Sequence, residues 1–139
     1  MANESYRLSL KSTYEESERI PDFVEDLQSE SSLSENEAST LMLLLSEAVT
    51  NAIEHGNKSE ADKKVDVHIV IDDQAITSTV TDEGEGFDPT NVKDPLKEEN
   101  LLDVGGRGIF LIRELSDSFE FEDDGRTVRF SIHRRNDEG

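Results

Sequence analysis

Cysteine and tryptophan are both missing from this sequence, and only 14 of its 139 residues are Lys or Arg. Without cysteine there can be neither a disulfide framework nor a thiolate metal site. The shortage of cations, set against 33 Asp and Glu, leaves a net charge of -19. A field of that sign repels a phosphate backbone, whose binding depends on Lys and Arg contacts, so nucleic acid is not an expected partner. Long apolar runs are missing too: none approaches the ~20 residues that span a bilayer. The start MANESYRLSL has no charged-then-apolar signal layout. The expectation is a cytoplasmic protein with no membrane association. The acidic excess is spread along the chain rather than gathered in a tail. It suits a halophilic source, where a Debye length of about 3 Å in molar salt screens it, and equally an ordinary acidic cytosolic protein.

Aromatic residues are few, at 6%, yet apolar residues arrive in periodic blocks, which excludes a disordered chain. The length suits one compact domain, taken as residues 1–139. Tyr6, Leu8 and Leu10 alternate with polar residues as a half-buried strand. Ile20, Phe23, Val24 and Leu27 have helical spacing, with Pro21 tolerable in a first turn. Ser34 and Glu37 form a capping-box signature, and the run after them is expected to be helical until Gly56. KVDVHIVIDD and QAITSTVTDEG alternate as an antiparallel hairpin that runs into glycines. From Asp88 to about residue 105 the chain has two prolines and little periodicity, and reads as a long functional loop. A short helix, IFLIRELSD, is expected after Gly105-Gly106-Arg107-Gly108, and a last hairpin turns at Asp-Gly. Hairpins in place of repeated β-α-β units predict an α+β fold: a two-layer sandwich whose mixed, mostly antiparallel sheet is covered on one face by about three helices.

On the long helix, Glu47, Asn51 and His55 are spaced by four and share a face. Leu41, Leu44, Leu45, Ala48 and Ala52 mark the buried face, so the polar line borders the core. A carboxylate and an amide at such an edge incur a desolvation cost unless something satisfies them. Oxygen ligands suit Mg²⁺, which takes one or two protein groups plus waters and substrate phosphates. Asn51 could be that ligand, and Glu47, one turn earlier, could orient a hydroxyl near a terminal phosphate. The bland alternative has Asn51 bonding a nearby backbone group and Glu47 paired with Arg or Lys. His55, near a helix end, reads as a packing or dipole-stabilised residue.

Asp82, Gly84 and Gly86 close a strand, where glycines let a flat ligand approach the backbone and an Asp can accept from an exocyclic amine. A plain turn would use the same residues, and a calcium loop would need more carboxylates at alternate positions. Gly106, Arg107 and Gly108 adjoin a helix start, whose unpaired N–H groups and dipole favour phosphate. The Arg107 fork suits phosphate oxygens, although a surface ion pair would use it equally. The spacing matches neither a P-loop nor a dinucleotide fingerprint.

In order, Glu47-x-x-x-Asn51-Ala52-x-x-His55-Gly56, Asp82-x-Gly84-x-Gly86-Phe87 and Gly106-x-Gly108 resemble the N, G1 and G2 boxes of the GHKL ATPase superfamily, with its Bergerat fold. Through SEAVTNAIEHGN, GFDP and GGRGIFLIRELSD the chain is similar to the small anti-sigma-factor serine/threonine kinases, over nearly its whole length. No transducer domain or phosphoacceptor helix pair is expected. The resemblance implies ATP and Mg²⁺ as cofactors, Glu47 as general base and Asn51 as metal ligand. It also implies Asp82 as the adenine contact, Gly84 and Gly86 as pocket backbone, and Gly106 and Gly108 along the phosphates. Arg107 becomes a phosphate contact by position, Thr127 reaches adenine through water, and the loop at about 88–105 is a lid. The implied partners are a sigma factor and a STAS-type antagonist phosphorylated on serine, with a homodimer as the assembly. A nucleotide-gated but non-catalytic regulatory module is the alternative, and a domain that binds no nucleotide is the bland one.

Overall fold

A computed structural model describes residues 4–84, 106–123 and 125–134. Five strands and four helices lie in the order β1 (Glu4–Lys11), α1 (Tyr14–Ser17), α2 (Ile20–Glu30), α3 (Glu35–Asn51), β2 (Lys64–Ile71), β3 (Ala75–Thr81), α4 (Gly106–Leu115), β4 (Ser118–Glu122) and β5 (Thr127–His133). The strands form one sheet in the order β1-β2-β3-β5-β4. All four pairings among the described residues are antiparallel, in keeping with the mostly antiparallel sheet expected and with no parallel pair among them. The long connection from β3 to β4, with α4 in it, places β4 at the edge and lets β5 return beside β3.

Period-two alternation divides the sheet into two faces. Leu8, Val67, Val80, Val128 and Phe121 stand in register across the inner face, where the β2, β3 and β5 members are buried. Arg7, His68, Thr79, Arg129 and Glu120 occupy the row on the polar face. The helices cover the inner face alone, and the buried residues of helices and sheet belong to one apolar cluster.

Helix α3 is fixed at its start and along one side. Ser34 Oγ accepts from the Glu37 backbone N–H at 3.0 Å, and Glu37 Oε1 accepts from the Ser34 N–H at 3.0 Å, the reciprocal cap expected from the sequence. Leu41, Leu44 and Leu45 are fully buried, each stabilising by roughly 1.5–3 kcal/mol. That anchoring sets the rotation of the helix, and with it the direction of the polar line beside the leucines. The helix does not run uniformly to Gly56: its last turn, Ala52–Gly56, is a π-helix, with the Asn57 N–H donating to the Ala52 carbonyl at 2.8 Å. Such wide turns insert a residue and re-aim the chain beyond them. Helix α4 begins at Gly106 itself, so Gly106 and Gly108, expected ahead of it, lie in its first turn. The single turn α1, capped by Thr13, is too short for periodicity to announce it.

Candidate functional site

The C-terminal end of α3 meets the end of β3. Asn51, in the last α-helical turn, has its side-chain Oδ1 buried without a hydrogen-bond partner. Glu47 lies one turn earlier on the same line, about 6 Å along the axis, and is half-buried. The ion pairs among the described residues leave Glu47 without a cationic partner. Among the described residues neither a hydrogen-bond partner for Asn51 Oδ1 nor a cation paired with Glu47 is present. An orphaned buried acceptor typically costs about 1–3 kcal/mol, and a carbonyl-type oxygen is a donor that Mg²⁺ accepts while keeping most of its waters. An ion of that kind would fit the unpartnered Asn51 Oδ1.

Asp82 sits just beyond β3 and is 9% exposed. Its Oδ1 accepts from the Gly84 N–H at 2.8 Å, and its own N–H donates to the Arg126 carbonyl at 2.9 Å. Burial pushes the Asp82 carboxyl above the usual carboxylate range, against the Gly84 hydrogen bond and the charges of Arg126 and Lys63. Gly56 is what lets the helix come this close: a Cβ there would overlap the Asp82 carboxylate, and a Cβ on Gly84 would overlap the Gly56 carbonyl. Both glycines are demanded by close approach of two chain segments. Gly56, Asp82 and Gly84 are thereby brought to one corner, and Asn51 lies five residues before Gly56 on the same stretch of helix.

Asn57, fully buried, is not among the residues that the motifs single out, yet it ties this corner together. Its Nδ2 donates to Ser12 Oγ at 2.7 Å and to the Lys64 carbonyl at 3.0 Å, and its Oδ1 accepts from the Glu83 N–H at 2.8 Å. One amide thus joins the ends of β1 and β2 to the segment after β3. Its position directly after Gly56 in the motif was the available signal. Arg126 was also missed: its Nε donates to the Gly84 carbonyl at 2.9 Å, a long-range contact that no local pattern announces.

Thr127 pairs with Thr81 across β5 and β3, and the two hydroxyls lie 3.1 Å apart. His55 is exposed and 3.8 Å from Glu54, and Glu54 accepts from the Tyr14 hydroxyl; the fold gives His55 no part in the corner. Gly106 and Gly108 lie in the first turn of α4, where N–H groups have no intrahelical partner. The Arg107 side chain, Gly86 and the loop at about 88–105 lie outside the described residues.

A family model for the histidine kinase-like ATPase domain matches residues 10–132. Over 95 residues the chain is 30% identical to a serine-protein kinase RsbW of Listeria monocytogenes, a match covering 63% of this chain and 60% of that protein. It is 36% identical over 87 residues to an anti-sigma F factor of Oceanobacillus iheyensis, covering 61% and 60%. It is 31% identical over 103 residues to an anti-sigma F factor of Bacillus velezensis, covering 70% of each. The chain thus spans about three-fifths of the length of the Listeria and Oceanobacillus relatives. Because the family match runs from the end of β1 to the end of β5, through the α3 corner and the glycine start of α4, this chain belongs to the histidine kinase-like ATPase domain family.

Proposed function

We propose that this protein is an Mg-ATP-dependent serine/threonine kinase of the anti-sigma type, acting as a homodimer in the cytoplasm. It would bind a sigma factor and phosphorylate a serine of a STAS-type antagonist. The observation that carries the reading is the orphaned Asn51 Oδ1, on the helix end whose Gly56 packs against a desolvated Asp82. The names of the relatives support the regulatory half of it: serine-protein kinase for one, anti-sigma F factor for two others. Among the described residues no helix is long and apolar enough to cross a membrane.

In this reading Asn51 holds Mg²⁺, which when bound supplies positive charge that neutralises the phosphates. Asp82 orients the base by accepting from its exocyclic amine, with Gly84 and Gly86 allowing the ring to lie against the backbone. The N–H groups of Gly106 and Gly108 at the α4 start would bind the phosphate oxygens, with Arg107 as a further phosphate contact by its position in the sequence. Glu47 accepts the proton of the acceptor serine as its oxygen attacks the terminal phosphorus and ADP leaves. Such catalysis rests on positioning and electrostatics, which suits side chains fixed by the core face of α3.

The test is incubation with γ-labelled ATP, Mg²⁺ and STAS proteins from the same genome. Label should move to a serine of one of them, and Glu47→Ala should abolish transfer while nucleotide still binds. Unchanged transfer by Glu47→Ala would sink its assignment as base. Nucleotide binding without transfer to any STAS protein would favour a non-catalytic, nucleotide-gated module.

A further inference from the structure

The short segment from Asp82 to Gly84 is gripped from two sides at successive residues. From the helix side, the buried Asn57 takes the Glu83 N–H on its Oδ1 at 2.8 Å. That amide is itself immobilised, since both of its Nδ2 hydrogens are committed to Ser12 Oγ and the Lys64 carbonyl. From the hairpin side, Arg126 holds the Gly84 carbonyl through Nε at 2.9 Å, and its backbone carbonyl takes the Asp82 N–H at 2.9 Å. Between these grips the Asp82 carboxylate has one oxygen on the Gly84 N–H, and the other lies over Gly56, where a Cβ would overlap it.

We propose that Asn57 and Arg126 are positioning residues that set base selectivity: they fix the main chain at Glu83 and Gly84, and so fix where Asp82 presents its acceptor. The proposal rests on the nucleotide reading of the corner. Neither residue need touch the base. A hydrogen bond to a charged acceptor discriminates only when the acceptor cannot retreat, because a mobile carboxylate would swing away from a keto oxygen that should be repelled. Three hydrogen bonds on one buried amide leave Asn57 little freedom, and the long Arg126 side chain reaches 42 residues back along the chain to close the other side. The same guanidinium charge favours the ionised, accepting form of Asp82 against the effect of burial.

The test compares Mg-ATP with Mg-ITP, whose base carries a keto oxygen in place of the amine, by calorimetric Kd on the whole protein. Wild type should prefer ATP by about 10–100-fold, the range expected for one hydrogen bond to a charged group. Arg126→Met should weaken ATP binding while leaving the ITP Kd within about twofold, so the preference collapses; Arg126→Lys, which keeps a donor and the charge, should restore part of it. Asn57→Ser should act in the same direction if it folds, and Arg126→Met decides the matter if it does not. Should both Kd values rise together in Arg126→Met, with the ratio unchanged, Arg126 is merely structural and the proposal is overturned. If wild type binds neither nucleotide, the nucleotide reading itself fails and this inference with it; if it binds both equally, the nucleotide reading stands and this inference alone is overturned.

Discussion

Helix α3 ends in two very different ways. At its start, Glu37 serves both the Ser34 cap and Arg134, whose guanidinium also donates to the carbonyls of Asp72 at 3.0 Å and Ser32 at 3.0 Å. The Arg134–Glu37 pair is well sheltered, at 15% and 16% side-chain exposure, and the polar groups there are satisfied. At the other end, Asn51 Oδ1 is an orphan, the helix widens into a π turn, and burial pushes the Asp82 carboxyl above the usual carboxylate range. The same helix thus carries one end built for stability and one that withholds stability. A bound ligand is one way such a group is completed, and the proposed site lies at this C-terminal end.

The sharpest way to break that contrast is to remove the close approach on which the second end depends. Gly84→Ala forces a Cβ into the Gly56 carbonyl and should cost roughly 2–4 kcal/mol, seen as a lower urea midpoint with an unchanged slope. Glu37→Ala should come next, at about 2 kcal/mol, through loss of the cap and of the Arg134 partner. Its ATP-to-ITP preference should be untouched, because the damage is at the far end of α3. Asn51→Ala should reverse the sign: deleting an orphaned acceptor in favour of a better helix former should stabilise the free protein by about 0.5–1 kcal/mol. A loss of stability above ~1 kcal/mol would mean that Asn51 has a structural partner after all.

Asp82→Asn should give the smallest change, a slight gain in melting temperature at neutral pH together with loss of base selectivity. Its pH dependence carries the sign. Asp82 has a folded-state pKa raised above its unfolded value, so the ionised carboxylate opposes folding at neutral pH, and that cost is relieved as pH falls through the raised value. The gap between Asp82→Asn and wild type should therefore close in acid. Asp72 behaves the opposite way: the Gln74 and Ala75 N–H groups hold its carboxyl below the usual range. Its contribution is complete above the unfolded value and is lost as pH falls through the lowered one. Melting curves of both proteins across the acid range would separate the two.

The two ends also differ in how far the sequence revealed them. The N-terminal cap was legible because it is local: Ser34 and Glu37 are three residues apart, and their bonds close within one turn. Strand faces were legible through alternation, and the buried leucines of α3 through helical spacing. The corner was legible only as residue types in order. Its joints run between distant segments, Asn57 to Ser12 across 45 positions and Arg126 to Gly84 across 42, and periodicity carries no such information. Thr127 shows the same gap: its motif position was readable, but the register with Thr81 that decides its face belongs to the assembled sheet. The π turn depends on the Asn57 N–H choosing the Ala52 carbonyl, a choice fixed by what holds Asn57.

Thermal melting with and without nucleotide tests the binding end most directly. With Mg-ATP at about a hundred times its Kd, wild type should gain roughly 2.7 kcal/mol. EDTA should remove most of the gain, and Asn51→Ala should show little of it, although that variant melts higher than wild type when free. Wild type unmoved by Mg-ATP, or Asn51→Ala shifted just as far, would contradict the assignment of this corner as the Mg-nucleotide site.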